Sequence, residues 1–307
     1  MTIFSTLFLI LVFSIFLIGI GLTLFLPSIY SYISKNRSLR IDEFDPVSPD
    51  IKSTKYTKGT KVSGDPGNPP IYALMITGKD DKRIGFAKKA VMNFDNQDYP
   101  NKKLIIVNHH PDPQMKVLSE EKNDCLEIRM KKESLGHLRN VSLEFVPMNA
   151  YWTIWDDDDW RPKDYLSTLF RMIFEKQVDG VTYTTRYEHN LKTGFSWKMT
   201  SMKGYPTILC KQNPLIRYKD VDTMEDVDLI DDIRKIGLKV FIYHNADRPD
   251  LYVRLVHGNN SSLYINHLKT NVRPRHSESN SYKEDIISRK EKEFVVRSVQ
   301  QVLNDKF

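Results

Sequence analysis

The chain has two cysteines in 307 residues, Cys125 and Cys210, which gives no sign of a disulfide framework. Glycine is scarce as well, at 13 residues. Between Thr77 and Arg83 there is only Gly78, at the wrong spacing for a glycine-rich phosphate loop. No internal repeat is visible. Basic residues cluster in two flanks, Lys35 to Lys61 and Arg273 to Arg297, and neither carries a recognition motif, so no nucleic-acid partner is expected. The net charge of +6, with 40% hydrophobic and 27% charged residues, is ordinary for a folded protein. The length accommodates one larger domain with appendages.

No charged residue occurs from Ile3 to Leu26, and no basic residue precedes that run. About 24 residues at ~1.5 Å each reach roughly 36 Å, enough to cross a bilayer. A cleaved signal peptide needs a basic start, which Met1-Thr2 does not supply. A retained membrane helix over residues 3–27 is therefore expected. A tether rich in Lys, Ser, Pro, Asp and Gly follows over 34–70. Lys35, Arg37 and Arg40, just after the helix, place the remainder on the cytosolic side by the positive-inside tendency. Sequons at Asn36, Asn140, Asn259 and Asn260 would favour a lumenal side if used.

The folded part is expected over 71–268, with a charged helical extension over 269–307. Ile71 to Thr77 and Leu104 to Val107 read as buried strands, with a helix from Arg83 to Asn96 between them. That order implies a right-handed crossover and a parallel sheet. Further helices are expected over Leu135–Val146, Tyr165–Lys176 and Val227–Ile236. Strands are expected over Tyr151–Trp155, Val181–Thr185, Lys239–Tyr243 and Leu251–Val256, with antiparallel strands between Tyr187 and Ile216. Tyr282–Leu303 reads as one amphipathic helix. Four consecutive carboxylates, Asp156 to Asp159, stand where the strand Tyr151–Trp155 should emerge at its carboxyl end. Carboxylates crowded there repel one another unless a cation binds them, and oxygen ligands suit Mg²⁺ or Mn²⁺. The plainer alternative is a charged turn.

In this order the segments resemble the family 2 glycosyltransferases, which have the GT-A fold. The resemblance runs from Ile71 to His257. Ala87-Lys88-Lys89-Ala90 through Asn96-Gln97-Asp98-Tyr99-Pro100 is similar to the family's first helix and Q-x-Y-P turn. Leu135-Gly136-His137-Leu138-Arg139-Asn140 resembles the start of the helix before its metal motif. Asp156 to Asp159 matches D-x-D-D, and Met224-Glu225-Asp226-Val227-Asp228 with Arg234 and Gly237 matches the E-D segment. The resemblance implies an α/β fold with a mixed, mostly parallel sheet and a metal-dependent, inverting transferase of the hexosyltransferase type. It would move one sugar from a nucleotide-sugar donor to an acceptor hydroxyl on a glycan, lipid or protein. Nucleotide-sugar contacts are implied for Thr77, Asn108, Arg139 and Asp156. Asp158 would hold Mn²⁺ or Mg²⁺, Asp226 would be the general base, and Glu225 would position it. Taken alone, Glu225-Asp226 reads as an acidic helix start. His257, after an apolar strand, resembles a late histidine that completes the metal's coordination, and a histidine capping a turn is the alternative. His109 and His110 are adjacent and point to opposite faces, so joint ligation is not expected there.

Two departures stand out. Asn108 replaces the family's usual Asp at the end of the second strand, and Thr77-Gly78-Lys79-Asp80 replaces T-Y-N-R. No Q-x-x-R-W segment follows Asp226, which argues against a polymerising member. The competing readings are a sugar-phosphate nucleotidyltransferase and a catalytically degenerate, membrane-bound binding protein. In sealed vesicles with the cytosolic face outward, added protease should digest the domain. Protection, or a glycan on Asn259, would place it on the opposite side.

Overall fold

The structure, a computed structural model, describes residues 67–119, 122–257 and 282–304. The expected membrane helix over 3–27, the tether as far as residue 66, and residues 258–281, which hold Asn259, Asn260 and the start of the extension, lie outside the described residues. Among the described residues, no helix is long and apolar enough to cross a membrane.

The first unit is β1 (Ile71–Thr77), α1 (Asp81–Asp95) and β2 (Lys102–Asn108). β1 and β2 run parallel, from Ile71 opposite Lys102 to Thr77 opposite Asn108. β3 (Cys125–Arg129) adds to the outer side of β2, and α2 (Leu135–Glu144) carries the chain back past β1 to β4 (Tyr151–Ile154). After α3 (Tyr165–Lys176) come β5 (Gly180–Tyr183), β6 (Thr185–Asn190), β7 (Ser196–Ser201) and β8 (Leu209–Lys211). The chain continues through α4 (Leu229–Lys235), β9 (Val240–Tyr243), β10 (Val253–Val256), β11 (Tyr282–Ile286) and α5 (Arg289–Asn304). Seven strands form one sheet in the order β3-β2-β1-β4-β8-β5-β9, in which only β8 runs antiparallel to its neighbours. Four form a second sheet, β10-β6-β7-β11.

The large sheet is covered on both faces, so its central strand is apolar throughout. Along β1, Ile71, Ala73 and Met75 pack with Ile84, Ala87 and Val91 of α1 and Leu166 and Leu169 of α3. Tyr72 and Leu74 point the other way, into a core that contains Leu143 of α2 and Leu229 and Ile233 of α4. The Gln97 turn ties the first crossover to the chain beyond β4. The Gln97 amide donates to Pro162 O (2.8 Å) and accepts from Leu166 N (3.2 Å), and the Tyr99 hydroxyl donates to Pro69 O (2.7 Å).

Several elements differ from their sequence-based limits. β3 was not expected, because it is an edge strand with one buried residue, Cys125. The single strand expected over Val181–Thr185 breaks at Thr184, where the chain leaves one sheet and enters the other. Asn245 fixes that break: its side-chain oxygen accepts from Thr184 N (3.1 Å) and Thr185 N (2.8 Å), and its amide donates to Thr185 O (2.8 Å) and Arg248 O (2.9 Å). The helix expected over Tyr282–Leu303 starts only at Arg289, because residues 282–286 pair antiparallel with β7. A reciprocal cap marks its start, with Glu291 N donating to Ser288 Oγ (3.3 Å) and Ser288 N donating to Glu291 (2.8 Å).

Asn245 is fully buried, so removing its amide strands two backbone N–H groups. Asn245→Ala should lower the unfolding free energy by about 2–4 kcal/mol with an unchanged urea m-value. A loss below about 1 kcal/mol would show that the break holds without it.

Candidate active site

In an open α/β sheet, ligands bind beyond the carboxyl ends of the strands, where the strand order reverses. Here that point lies between β1, which leads outward to β2 and β3, and β4, which leads the other way. Thr77 ends β1, Asn108 ends β2 in register with it, and Asp156 to Asp159 follow β4. Gly78 makes the turn after β1 with φ +107°, and a Cβ there would lie 2.4 Å from the Asn108 side-chain oxygen and from His110 N.

Each carboxylate of the acidic run has its own partner. Asp156 is one-third exposed and accepts from Arg139 Nη2 at 3.4 Å. Arg83 bridges Asp157 and Asp158, with Nη1 2.5 Å from Asp158 Oδ2. The same Oδ2 meets His257 Nε2 at 2.9 Å. Asp159 accepts from the Tyr252 hydroxyl and from Leu255 N (3.0 Å). Tyr252 also reaches Asp156 Oδ2 at 3.3 Å, and burial and the two aspartates keep its phenol protonated. Trp160 exchanges both backbone hydrogen bonds with Val253. Asp159 and Trp160 thus dock β10, and His257 arrives beside Asp158 immediately beyond its end.

Burial favours the neutral acid at the three buried members of this run, Asp157, Asp158 and Asp159. For Asp157 that effect prevails over Arg83 and raises its pKa, helped by the Asp158 charge. For Asp159 burial again prevails, reinforced by Asp158 and Asp156. Asp158 is held well below the usual carboxylate range, because the Arg83 charge and the His257 hydrogen bond outweigh its burial. A fully buried Arg161 lies behind them, its guanidinium 4.2 Å from the Trp155 ring and 4.8 Å from Tyr252, donating to Ile154 O at 3.1 Å. Arg83 and Arg139 thus supply positive charge to this run.

The second group stands on α2, where Gly136, Arg139 and Asn140 share one face by their spacing of three and four. Asn140 donates to Tyr218 O (2.9 Å) and accepts from Tyr218 N (2.8 Å), so the nitrogen that a glycan would need is already engaged. Gly136 N donates to Val221 O at 3.0 Å. These contacts lay residues 218–225 along the helix and bring Glu225 to Arg139 Nε at 3.1 Å. Arg139 therefore joins Asp156 to Glu225. Glu225 is buried, and its pKa is raised by that burial and by the nearby Asp226 and Asp156, with Arg139 opposing. Asp226 is half-buried, and among the described residues no hydrogen bond or ion pair to its carboxylate occurs. Asp228 points elsewhere and pairs with Lys219.

The sequence-predicted residues thus fall into two linked groups, Asp156–Arg139–Glu225 with Asp226, and Asp158–His257. Thr77 lies beside them, its hydroxyl donating to Arg83 O at 3.3 Å and close enough to favour ionised Asp157. Asn108 does not open onto the site. It is fully buried, and its amide is taken up by Met115 O (2.9 Å), Glu127 (2.7 Å) and His110 N (3.0 Å). Arg83, Phe86, Tyr252 and the loop clasp by Glu127 and Arg129 carried no recognisable sequence signal. Arg83 and Phe86 share a face of α1 by their spacing, and the Phe86 ring stacks on His257 at 4.8 Å. Glu127 accepts from Val117 N and Leu118 N, while Arg129 donates to the carbonyls of His110, Asp112 and Met115.

Asp158 Oδ2 and His257 Nε2 are spaced as two atoms that could share a cation at about 2.1 Å from each. Among the described residues no group of three or more His, Cys, Asp and Glu side chains is arranged to hold one. Remaining ligands would come from phosphates and water, as is common for Mg²⁺.

No protein-family model matches the chain. A stretch of 98 residues is 31% identical to glycosyltransferase GlyA of Streptococcus pneumoniae serotype 4, covering 31% of this chain and 14% of that protein. The fold is similar to TarS 1–349 of S. aureus in complex with UDP-GlcNAc, with 12% identity, a TM-score of 0.50, and 77% of this chain and 67% of that one covered. A looser likeness, TM-score 0.48 at 14% identity, is to the mannosyltransferase PcManGT from Pyrobaculum calidifontis in complex with GDP-Man and Mn²⁺, covering 80% of this chain and 69% of that one.

The close approach of α2 to residues 219–225 depends on a missing side chain. A Cβ on Gly136 would lie 1.7 Å from Lys219 O, whereas one on Gly85 of α1 meets nothing within 4 Å. Gly136→Ala should destabilise the fold by about 1–3 kcal/mol, and Gly85→Ala should stabilise it by about 0.5–1 kcal/mol. Paired urea titrations check both, and equal signs would refute the contact.

Proposed function

We propose that this chain is a membrane-anchored glycosyltransferase of the family 2 type with a GT-A fold. It moves one sugar from a nucleotide-sugar donor to an acceptor hydroxyl by inversion, with Mn²⁺ or Mg²⁺. The observation that carries this reading is the meeting, at the strand-order reversal, of Asp156–Arg139–Glu225 with the Asp158–His257 pair beside Asp226, a carboxylate with no ion pair among the described residues. The 98-residue similarity to GlyA supports the same class. The donor class is in keeping with the UDP-GlcNAc held by TarS 1–349, a chain of similar fold. We place the anchor at residues 3–27 and the domain on the cytosolic side, on the charge asymmetry after that run.

In this reading Asp158 and His257 hold the divalent cation. The cation supplies charge neutralisation for the departing nucleoside diphosphate. Asp156, with Arg139 fixing its carboxylate, faces the donor's ribose. Thr77 holds the turn from which Arg83 rises. Asn108 takes a positioning role: buried, it holds the loop His109 to Leu118, and that loop borders the base. Asp226 is the base that takes the acceptor's proton. Glu225, held by Arg139 at 3.1 Å, cannot turn toward the acceptor without breaking that pair, so it orients its neighbour instead. A half-buried Asp226 next to a buried, arginine-paired Glu225 gives two carboxylates two roles.

Asp226→Asn is isosteric and should leave nucleotide affinity and unfolding unchanged. Turnover of a UDP- and GDP-sugar panel by the full chain in detergent should fall by roughly 10²–10⁴-fold, the contribution of a positioned base. Full activity in that variant would remove Asp226 from the role, and lost nucleotide binding would reassign it to the donor.

A further inference from the structure

Among the described residues, Arg83 stands where a simple cation site would leave room for the ion. Its Nη1 lies 2.5 Å from Asp158 Oδ2, the oxygen that also meets His257, and its Nη2 pairs with Asp157. The side chain is 15% exposed, so its charge is poorly screened. It is fixed from behind: Arg83 N donates to Asp80 at 3.0 Å, Arg83 O accepts from Thr77, and Phe86, one turn on, packs flat against His257.

The charges decide what a divalent ion meets on arrival. Arg83 already sets one positive charge between Asp157 and Asp158, and Arg139 sets another between Asp156 and Glu225. A bare divalent cation must displace the guanidinium from Oδ2 and then stand beside it with an excess of positive charge. A nucleoside diphosphate removes that excess by bringing its own negative charge, and it also gives the released Nη1 a new acceptor.

We propose that Arg83 is a resident cation that sets the binding order of this site, excluding a divalent ion on its own and admitting it together with a nucleoside diphosphate. The inference rests on the reading of Asp158 and His257 as cation ligands. Arg83 keeps Asp157 throughout and exchanges Asp158 for a donor phosphate.

The test is Mn²⁺ binding followed by electron paramagnetic resonance of free Mn²⁺, with the full chain in detergent, alone and with UDP or GDP. Arg83→Gln should bind Mn²⁺ without nucleotide roughly tenfold more tightly than the wild type, the scale of removing one nearby poorly screened charge. Arg83→Lys, which keeps the charge, should stay near the wild type. The gain in Mn²⁺ affinity on adding nucleotide should shrink in Arg83→Gln, since the coupling between the two ligands is reciprocal. Unchanged or weaker Mn²⁺ binding by folded Arg83→Gln overturns the proposal. So does a wild type that binds Mn²⁺ equally with and without nucleotide, a measurement that needs no variant to fold. If the wild type binds no Mn²⁺ even with nucleotide, the cation site itself is refuted. If Asp158→Asn abolishes binding while Arg83→Gln changes nothing, only the role of Arg83 falls.

Discussion

Four ionisable carboxylates at the end of one buried strand would separate by repulsion if nothing held them, and the fold is arranged around preventing that. Arg139 from α2 reaches Asp156, Arg83 from α1 spans Asp157 and Asp158, and Tyr252 with the backbone of β10 takes Asp159. These partners come from opposite faces of the large sheet and from the second sheet. Satisfying the acidic run therefore closes the domain around the site. The run is also differentiated. Asp158 is stabilised as an anion, whereas burial pushes Asp157 and Asp159 toward the neutral form. One stretch of identical residues thereby acquires distinct chemical characters from distinct neighbours.

The second sheet has a positional role. β6 is separated from β5 only by Thr184, and the Asn245 amide holds the chain at that crossing. β10 then pairs parallel with β6 and ends at Val256, one residue before His257. Trp160, Tyr187, Val253, Leu255 and Val295 of α5 share a separate apolar cluster, which fixes that sheet from its far side. The acidic run at the end of a large-sheet strand thus meets a histidine delivered from the end of a strand in the other sheet.

Much of the fold was legible because its signals are local. β1 and α3 have the limits read from the sequence, Ile71–Thr77 and Tyr165–Lys176, since a fully buried strand is a continuous apolar run and α3 is strongly amphipathic. β3 escaped because its exposed edge leaves little apolar signal, and β11 was absorbed into α5 because its pairing with β7 is a non-local choice. In the candidate site, Asp156, Asp158, Arg139, Glu225, Asp226 and His257 could be named because their segments resemble the motifs of one family in the same order.

What the sequence by itself determined was the set of acidic and histidine groups and the strand and helix ends that carry them, because hydrophobic periodicity and residue type act over a few positions. What only the tertiary structure decided was the partnership of those groups. Arg83 meets Asp158 across 75 positions, Tyr252 meets Asp159 across 93, and His257 meets Asp158 across 99. Nothing in the local composition around Arg83 distinguishes it from a solvated helix arginine. Its role arises because the parallel pairing of β1 with β4 sets the first turn of α1 beside the acidic run. Asn108 shows the converse: the family resemblance implied a ligand contact at its position, and the unforeseen edge strand β3, through Glu127, draws its amide into the interior.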